Sequence, residues 1–245
     1  PSDALTTAAC AGSDAGGPTT TYSLAIEAGD GQAVAVTRDA ILAVRVRDDN
    51  DAPAAGINVS WSVVSGGGSL PSDATSDGAG LAYATFTLGQ GAGTQRARAS
   101  LGGIGGATVT FSVTALAGPA TNLRMSTGSG QTGSVLTPLP IAYAVVVEDE
   151  YDNPVSGISV TWAVTQGGGS VSIPTSVTTD NSGAATTIHT LGPLAGAQVV
   201  TATAGVLTGS PVTFTSTARA AFSILGGGNN ANERYTSDLW VHGDY

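Results

Sequence analysis

The sequence predicts an all-β chain, two tandem β-sandwiches with an extended tail at each end. Three observations lead there. An internal repeat returns the segment from Leu42 to Ala115 as Tyr143 to Ala218, at an offset that matches the length of one sandwich of about 100 residues. Within each copy the apolar side chains recur with a period of two, as strands with one buried face require. Clusters of Gly, Pro, Asn, Asp and Ser punctuate those strands at the short spacing of antiparallel sheets.

The elements follow in order. The first clear strands place Leu42, Val44 and Val46 on one face in copy one, and Tyr143, Val145 and Val147 in copy two. Acidic, proline-bearing turns come next, DDNDAPAAG and EDEYDNPVSG. The following strands align Ile57, Val59, Trp61 and Val63 with Ile158, Val160, Trp162 and Val164. Trp162 lies 101 residues after Trp61, and the same offset carries Gly66–Gly68 to Gly167–Gly169. Leu88-Gly89 and Thr110-Phe111 meet Leu191-Gly192 and Thr213-Phe214 at an offset of 103. A two-residue insertion therefore falls after the GGG turn, where a loop absorbs it. The closing strands carry Val109, Phe111 and Val113, then Val212 and Phe214. This pattern divides the chain into a tail (1–21), sandwich 1 (22–117), sandwich 2 (118–218) and a linker with a strand-like segment (219–245), with a hinge near Ala117 to Thr121.

The ordered motifs V-x-V-x-D, N-P-V-x-G-x-x-V-x-W, G-G-G-S, T-x-D-x-x-G-x-A, L-G-x-x-x-G and V-T-F resemble the group 1 bacterial immunoglobulin-like domain of invasin/intimin-type proteins. Copy two matches through Asp149, Asn153, Pro154, Gly157, Trp162, Gly167, Asp180, Gly183, Leu191, Gly192, Gly196 and Phe214. Copy one drifts, with Ala52 in the place of the Asn before Pro53. The resemblance spans about residues 22 to 218 and implies immunoglobulin-like Greek-key sandwiches displayed outside a bacterial cell. The string NERYTSDLWVHGDY near the C-terminus resembles, over about a dozen residues, the opening strand of an LVIVD-type β-propeller.

Composition narrows the chemistry. The formal net charge is −10, and all eight basic residues are arginines. Phosphate contacts need clustered Lys and Arg, so nucleic acid is excluded as the expected partner. Without lysine, Lys–Asn isopeptide cross-links are unavailable. Only 11% of residues are charged, which points to a neutral, hydroxyl-rich surface. No run of about 18 apolar residues is present to form a membrane-spanning helix. With Cys10 the single cysteine, no intrachain disulfide forms, and packing alone holds the sandwiches.

Candidate site residues are few. LTTAAC, Leu5 to Cys10, resembles a lipoprotein box, which makes Cys10 a candidate lipid anchor, although Thr7 stands where leucine is preferred. The turns at Asp48, Asp49 and Asp51 and at Asp149 and Asp152 are candidate calcium ligands, with ordinary solvated turns as the plainer reading. His189 falls at the place of Phe86, on a strand, and is expected at the surface or half-buried. Neither it nor His242 sits in a nucleophile elbow, and no Cys/His metal cluster exists; catalytic and cofactor-binding residues are expected to be absent. Leu239, Trp240 and Val241 alternate as a donor strand does.

The expected role is a non-enzymatic extracellular spacer or adhesin-type stalk whose partners are other copies of itself or cell-surface components. Two alternatives stand beside it: a filament subunit joined by β-strand addition from a terminal tail, and a carbohydrate-binding accessory module.

Overall fold

The computed structural model describes residues 21–102, 106–173 and 177–220, and these form strands, turns and loops without a helix. Sandwich 1 contains β1 (Ser23–Ala28), β2 (Ala33–Ala35), β3 (Asp39–Arg47), β4 (Asn58–Ser65), β5 (Asp73–Thr75), β6 (Leu81–Thr87), β7 (Gly93–Leu101) and β8 (Thr108–Leu116). Sandwich 2 contains β9 (Asn122–Thr127), β10 (Gln131–Ser134), β11 (Tyr143–Glu148), β12 (Ser159–Gln166), β13 (Gly169–Val171), β14 (Val177–Thr178), β15 (Ala184–Thr187), β16 (His189–Leu191), β17 (Gly196–Thr203) and β18 (Val212–Arg219).

Each sandwich faces a three-stranded sheet against a five-stranded one. The orders are β1-β3-β6 with β2-β8-β7-β4-β5, and β15-β11-β9 with β10-β18-β17-β12-β14. The opening segment of each copy switches sheets. It pairs antiparallel at β1 or β9 and then parallel at β2 or β10, against the closing strand β8 or β18. The Ser69–Thr87 bridge of sandwich 1 is lengthened in sandwich 2 to a β13-β16 pair, and the two-residue insertion falls between that pair and β14.

The alternating side chains build two separate cores. Leu42, Val44, Val46, Val59, Phe86 and Phe111 are fully buried in the first, and Tyr143, Val145, Val147, Val160 and Phe214 in the second. Trp61 packs on Phe111 at 5.8 Å between ring centroids, and Trp162 on Phe214 at 5.5 Å. Fully burying one such large apolar side chain contributes about 1.5–3 kcal/mol. Both indole N–H groups are buried without an acceptor among the described residues, a cost of about 1–3 kcal/mol each that the rings' burial opposes. The alternation fails at the end of β4. Its register shifts between Val63 and Ser65, and Val63 turns partly to solvent at 36% exposure.

His189 departs from the expectation of a surface or half-buried side chain. It is fully buried, its Nδ1 3.5 Å from the Tyr143 hydroxyl and its Nε2 3.4 Å from the Gly168 carbonyl. Sandwich 1 has Leu42 and Phe86 at the equivalent places, so sandwich 2 exchanged an apolar pair for a polar aromatic one. Burial holds the imidazole below its ordinary pKa, and the bond to Gly168 opposes this only in part. The folded state therefore carries His189 neutral while the unfolded chain titrates near 6.5. A folded pKa below the unfolded one means stability that is full above about pH 6.5 and falls as pH drops toward the folded value. Sandwich 2 is expected to lose stability across that window while sandwich 1 does not. Chemical denaturation followed by NMR signals from each sandwich at pH 7.5 and pH 5 checks this. The double variant Tyr143→Leu/His189→Phe is expected to remove the difference.

Candidate functional site at the junction of the sandwiches

Strand β3 pairs with β6 from Asp39, opposite Thr87, to Arg45, opposite Leu81, and continues to Arg47. Its nine residues span about 30 Å, so the turn after β3 and the loop after β6 lie at opposite poles of sandwich 1. The same holds in sandwich 2 for the turn after β11 and the loop after β16. The junction forms where the loop pole of sandwich 1 meets the turn pole of sandwich 2.

The turn is organised by one carboxylate. Asp149, fully buried, accepts the Tyr151 and Asn153 N–H groups at Oδ1 (2.8 and 3.0 Å) and the Gly118 N–H at Oδ2 (2.7 Å). The Asn153 side-chain amide donates to the same Oδ2 at 2.9 Å. This is an Asx-type turn, which Asp forms readily because its short side chain reaches the backbone two residues on. Burial raises the carboxyl's pKa, but the bonds from Asn153, Gly118 and Tyr151 outweigh it and hold it below the ordinary carboxylate range. Gly118 belongs to the inter-sandwich linker, and Thr121 N–H donates to the Glu148 carbonyl at 2.9 Å. The same carboxylate thus shapes the turn and ties down the linker.

The loop is organised by one buried amide. Gln95, on β7, is almost fully buried. Its Oε1 accepts the Gly89 N–H at 2.8 Å, and its Nε2 donates to the Gly91 carbonyl at 2.8 Å. The GGG turn lies against Gly89, and its three residues have φ between +79° and +90°. A side chain at Gly68 would collide with the Thr87 carbonyl, so glycine is required twice over there.

Asn153 joins the two halves. Its Nδ2 donates to the Gln90 carbonyl at 2.8 Å, and its Oδ1 accepts the Ala92 N–H at 2.7 Å. All of its polar atoms are used, half within its own turn and half on the neighbouring sandwich. Tyr151 adds an apolar contact, packing half-buried against the core of sandwich 1.

The acidic residues read as calcium candidates fall into two separate turns. Asp48 accepts the Asn50 and Ala52 N–H groups, each at 2.9 Å. Asp49 accepts the Asn50 amide at 3.1 Å, and Asp51 lies 3.6 Å from Arg47. Asp149 is engaged as described, and Asp152 adopts φ +63° in the turn. Among the described residues, no three His, Cys, Asp or Glu side chains group to hold a metal ion. Cys10, Leu239, Trp240 and Val241 lie outside the described residues, as does the propeller-like string. Gln95 and Gln198 were missed by sequence reading. Their signal was a glutamine at an inward strand position in both copies, at the repeat's offset of 103.

The sequence matches no protein-family model and no curated protein. Among solved structures it is similar to InvD of Yersinia pseudotuberculosis, with TM-score 0.52 and 16% identity over 84% of this chain and 60% of that one. It also overlaps FdeC, a broadly conserved Escherichia coli adhesin, with TM-score 0.45 and 19% identity over 80% of this chain and 63% of that one. The fold is that of tandem immunoglobulin-like β-sandwiches. The chain spans less than two thirds of the length of either structure.

Removing the Asp149 carboxylate strands the buried Asn153 N–H and the partly buried Tyr151 and Gly118 N–H groups at once. Asp149→Ala is expected to destabilise sandwich 2 by about 2–3 kcal/mol and Asn153→Ala by about 1 kcal/mol, with sandwich 1 nearly unchanged. Denaturant midpoints resolved for each sandwich check both values.

Proposed function

We propose that this chain is a non-enzymatic structural spacer of a bacterial surface stalk or adhesin, working outside the cell. The observation that carries the reading is the junction. A flexible linker needs no buried carboxylate capturing its backbone and no asparagine shared between two domains. Both serve a part that must hold one sandwich at a set angle to the next, as a spacer does. The Gly118 tether shortens the free linker to very few residues, and flexibility falls with length. A surface poor in charge and rich in Ser and Thr fits an extracellular protein that contacts other surface components, and the fold shared with InvD is consistent with that setting.

Residual dipolar couplings measured on the full chain test the spacer role. One alignment tensor is expected to fit both sandwiches of the native protein. Asn153→Ala and Tyr151→Ala are expected to give two tensors of different magnitude. Two tensors already in the native chain would overturn the reading.

A further inference from the structure

The loop that receives Asn153 has a counterpart at the far pole of sandwich 2, and the two are built alike. Gln198 there repeats Gln95: its Oε1 accepts the Gly192 N–H and its Nε2 donates to the Leu194 carbonyl, both at 3.1 Å. The adjoining corner is repeated as well. Thr37 N–H donates to the Gly89 carbonyl at 3.4 Å, and Leu136 N–H to the Gly192 carbonyl at 3.3 Å. Both corner residues have φ +61°. The Pro193 carbonyl and Ala195 N–H therefore stand where Gln90 and Ala92 offer their groups to Asn153.

The side chains on this repeated frame differ. Sandwich 1 has Thr37 and Gly91 at the corner and loop tip. Sandwich 2 has Leu136, 66% exposed, and Leu194, 72% exposed. Two large apolar side chains thus stand in solvent, on neighbouring segments linked by the Leu136–Gly192 bond, at the pole equivalent to the one by which sandwich 1 meets sandwich 2, where Thr37 and Gly91 are exposed as well. Two exposed leucines beside a repeated set of interface groups add apolar surface that a partner seated there would bury.

We infer that this pole is a docking site for a further immunoglobulin-like domain carrying an Asp-x-x-x-Asn-Pro turn with an aromatic side chain two residues after the Asp. The assignment of this occupant follows from continuity with the junction already described. The incoming Asn amide bridges the Pro193 carbonyl and the Ala195 N–H, as Asn153 bridges Gln90 and Ala92, and the aromatic meets Leu136 and Leu194, whose side chains reach out where the shorter Thr37 and Gly91 leave the internal junction open. A second copy of this chain does not meet the requirement. At its turn pole sandwich 1 presents Asp48, Asn50 and Ala52, so the carboxylate is kept while the bridging amide and the aromatic are both missing. Stacking is therefore one-way: sandwich 2 receives a successor, and sandwich 1 lacks the groups to latch onto a predecessor of its own kind. The inference rests on the spacer reading but concerns the pole opposite the internal junction.

The missing groups can be restored in the intact chain. Isotope-labelled native protein is titrated with unlabelled Asn50→Tyr/Ala52→Asn protein, and separately with unlabelled native protein, each to about 1 mM. The double variant is expected to shift the amide signals of Leu136 and residues 192–197 saturably, and native protein is not. Leu194→Asp in the labelled partner is expected to abolish the shifts. The inference is overturned if a folded double variant produces no shifts there, or if native protein produces the same shifts. The internal junction's dipolar couplings are read on the native chain alone, so failure here is distinguishable from failure of the spacer reading.

Discussion

A carboxylate removed from water must be compensated, and Asp149 is compensated four times over, by the Tyr151, Asn153 and Gly118 N–H groups and by the Asn153 amide. A buried, unpaired charge would cost far more than any surface ion pair contributes. The carboxylate therefore dictates the path of everything that satisfies it. It closes the turn after β11, draws the linker back onto sandwich 2, and orients Asn153 toward the neighbouring sandwich. The two sandwiches keep separate cores, and Asn153 and Tyr151 on this turn make the contacts with the first.

The two sandwiches show how one framework tolerates different interiors. Strand order, bulge position and the glutamine-braced loop are shared, while Leu42 and Phe86 in one core give way to Tyr143 and His189 in the other. The Tyr143 ring stacks on Phe214 at 4.6 Å between centroids, so the polar pair still serves packing. What the exchange adds is a dependence on protonation confined to one sandwich. The imidazole's neighbours are a hydroxyl and a carbonyl inside a closed core, and its place in the structure is that of a filler rather than a relay.

Repetition also makes the differences between copies informative. The donor turn is complete in sandwich 2 and incomplete in sandwich 1, where Ala52 and Asn50 replace the amide and the aromatic. The receiving loop is built in both, yet only in sandwich 2 does its pole carry exposed leucines. The copies thereby differ in a handful of side chains on an otherwise uniform frame.

The amino-acid sequence by itself determined the all-β class, the two copies and most of each core, because those depend on local quantities: the period of apolar residues, the spacing of turn formers and an offset near 100. Leu42, Val44, Trp61 and Phe111 were legible as inward-facing for that reason. Alternation misled where a bulge intervened, as at Val63. It could not place His189, since a histidine's burial depends on which side chains close over it from the opposite sheet. The junction was hidden more completely. Asp149 read as a solvated turn residue or a cation ligand, because its sequence neighbours are acidic and polar. Only the tertiary structure set it against Gly118 and turned Asn153 toward Gln90 and Ala92, more than 60 residues away in the chain. Burial and hydrogen-bond partnership across such separations are decided by how strands from distant segments assemble, and no local pattern encodes them.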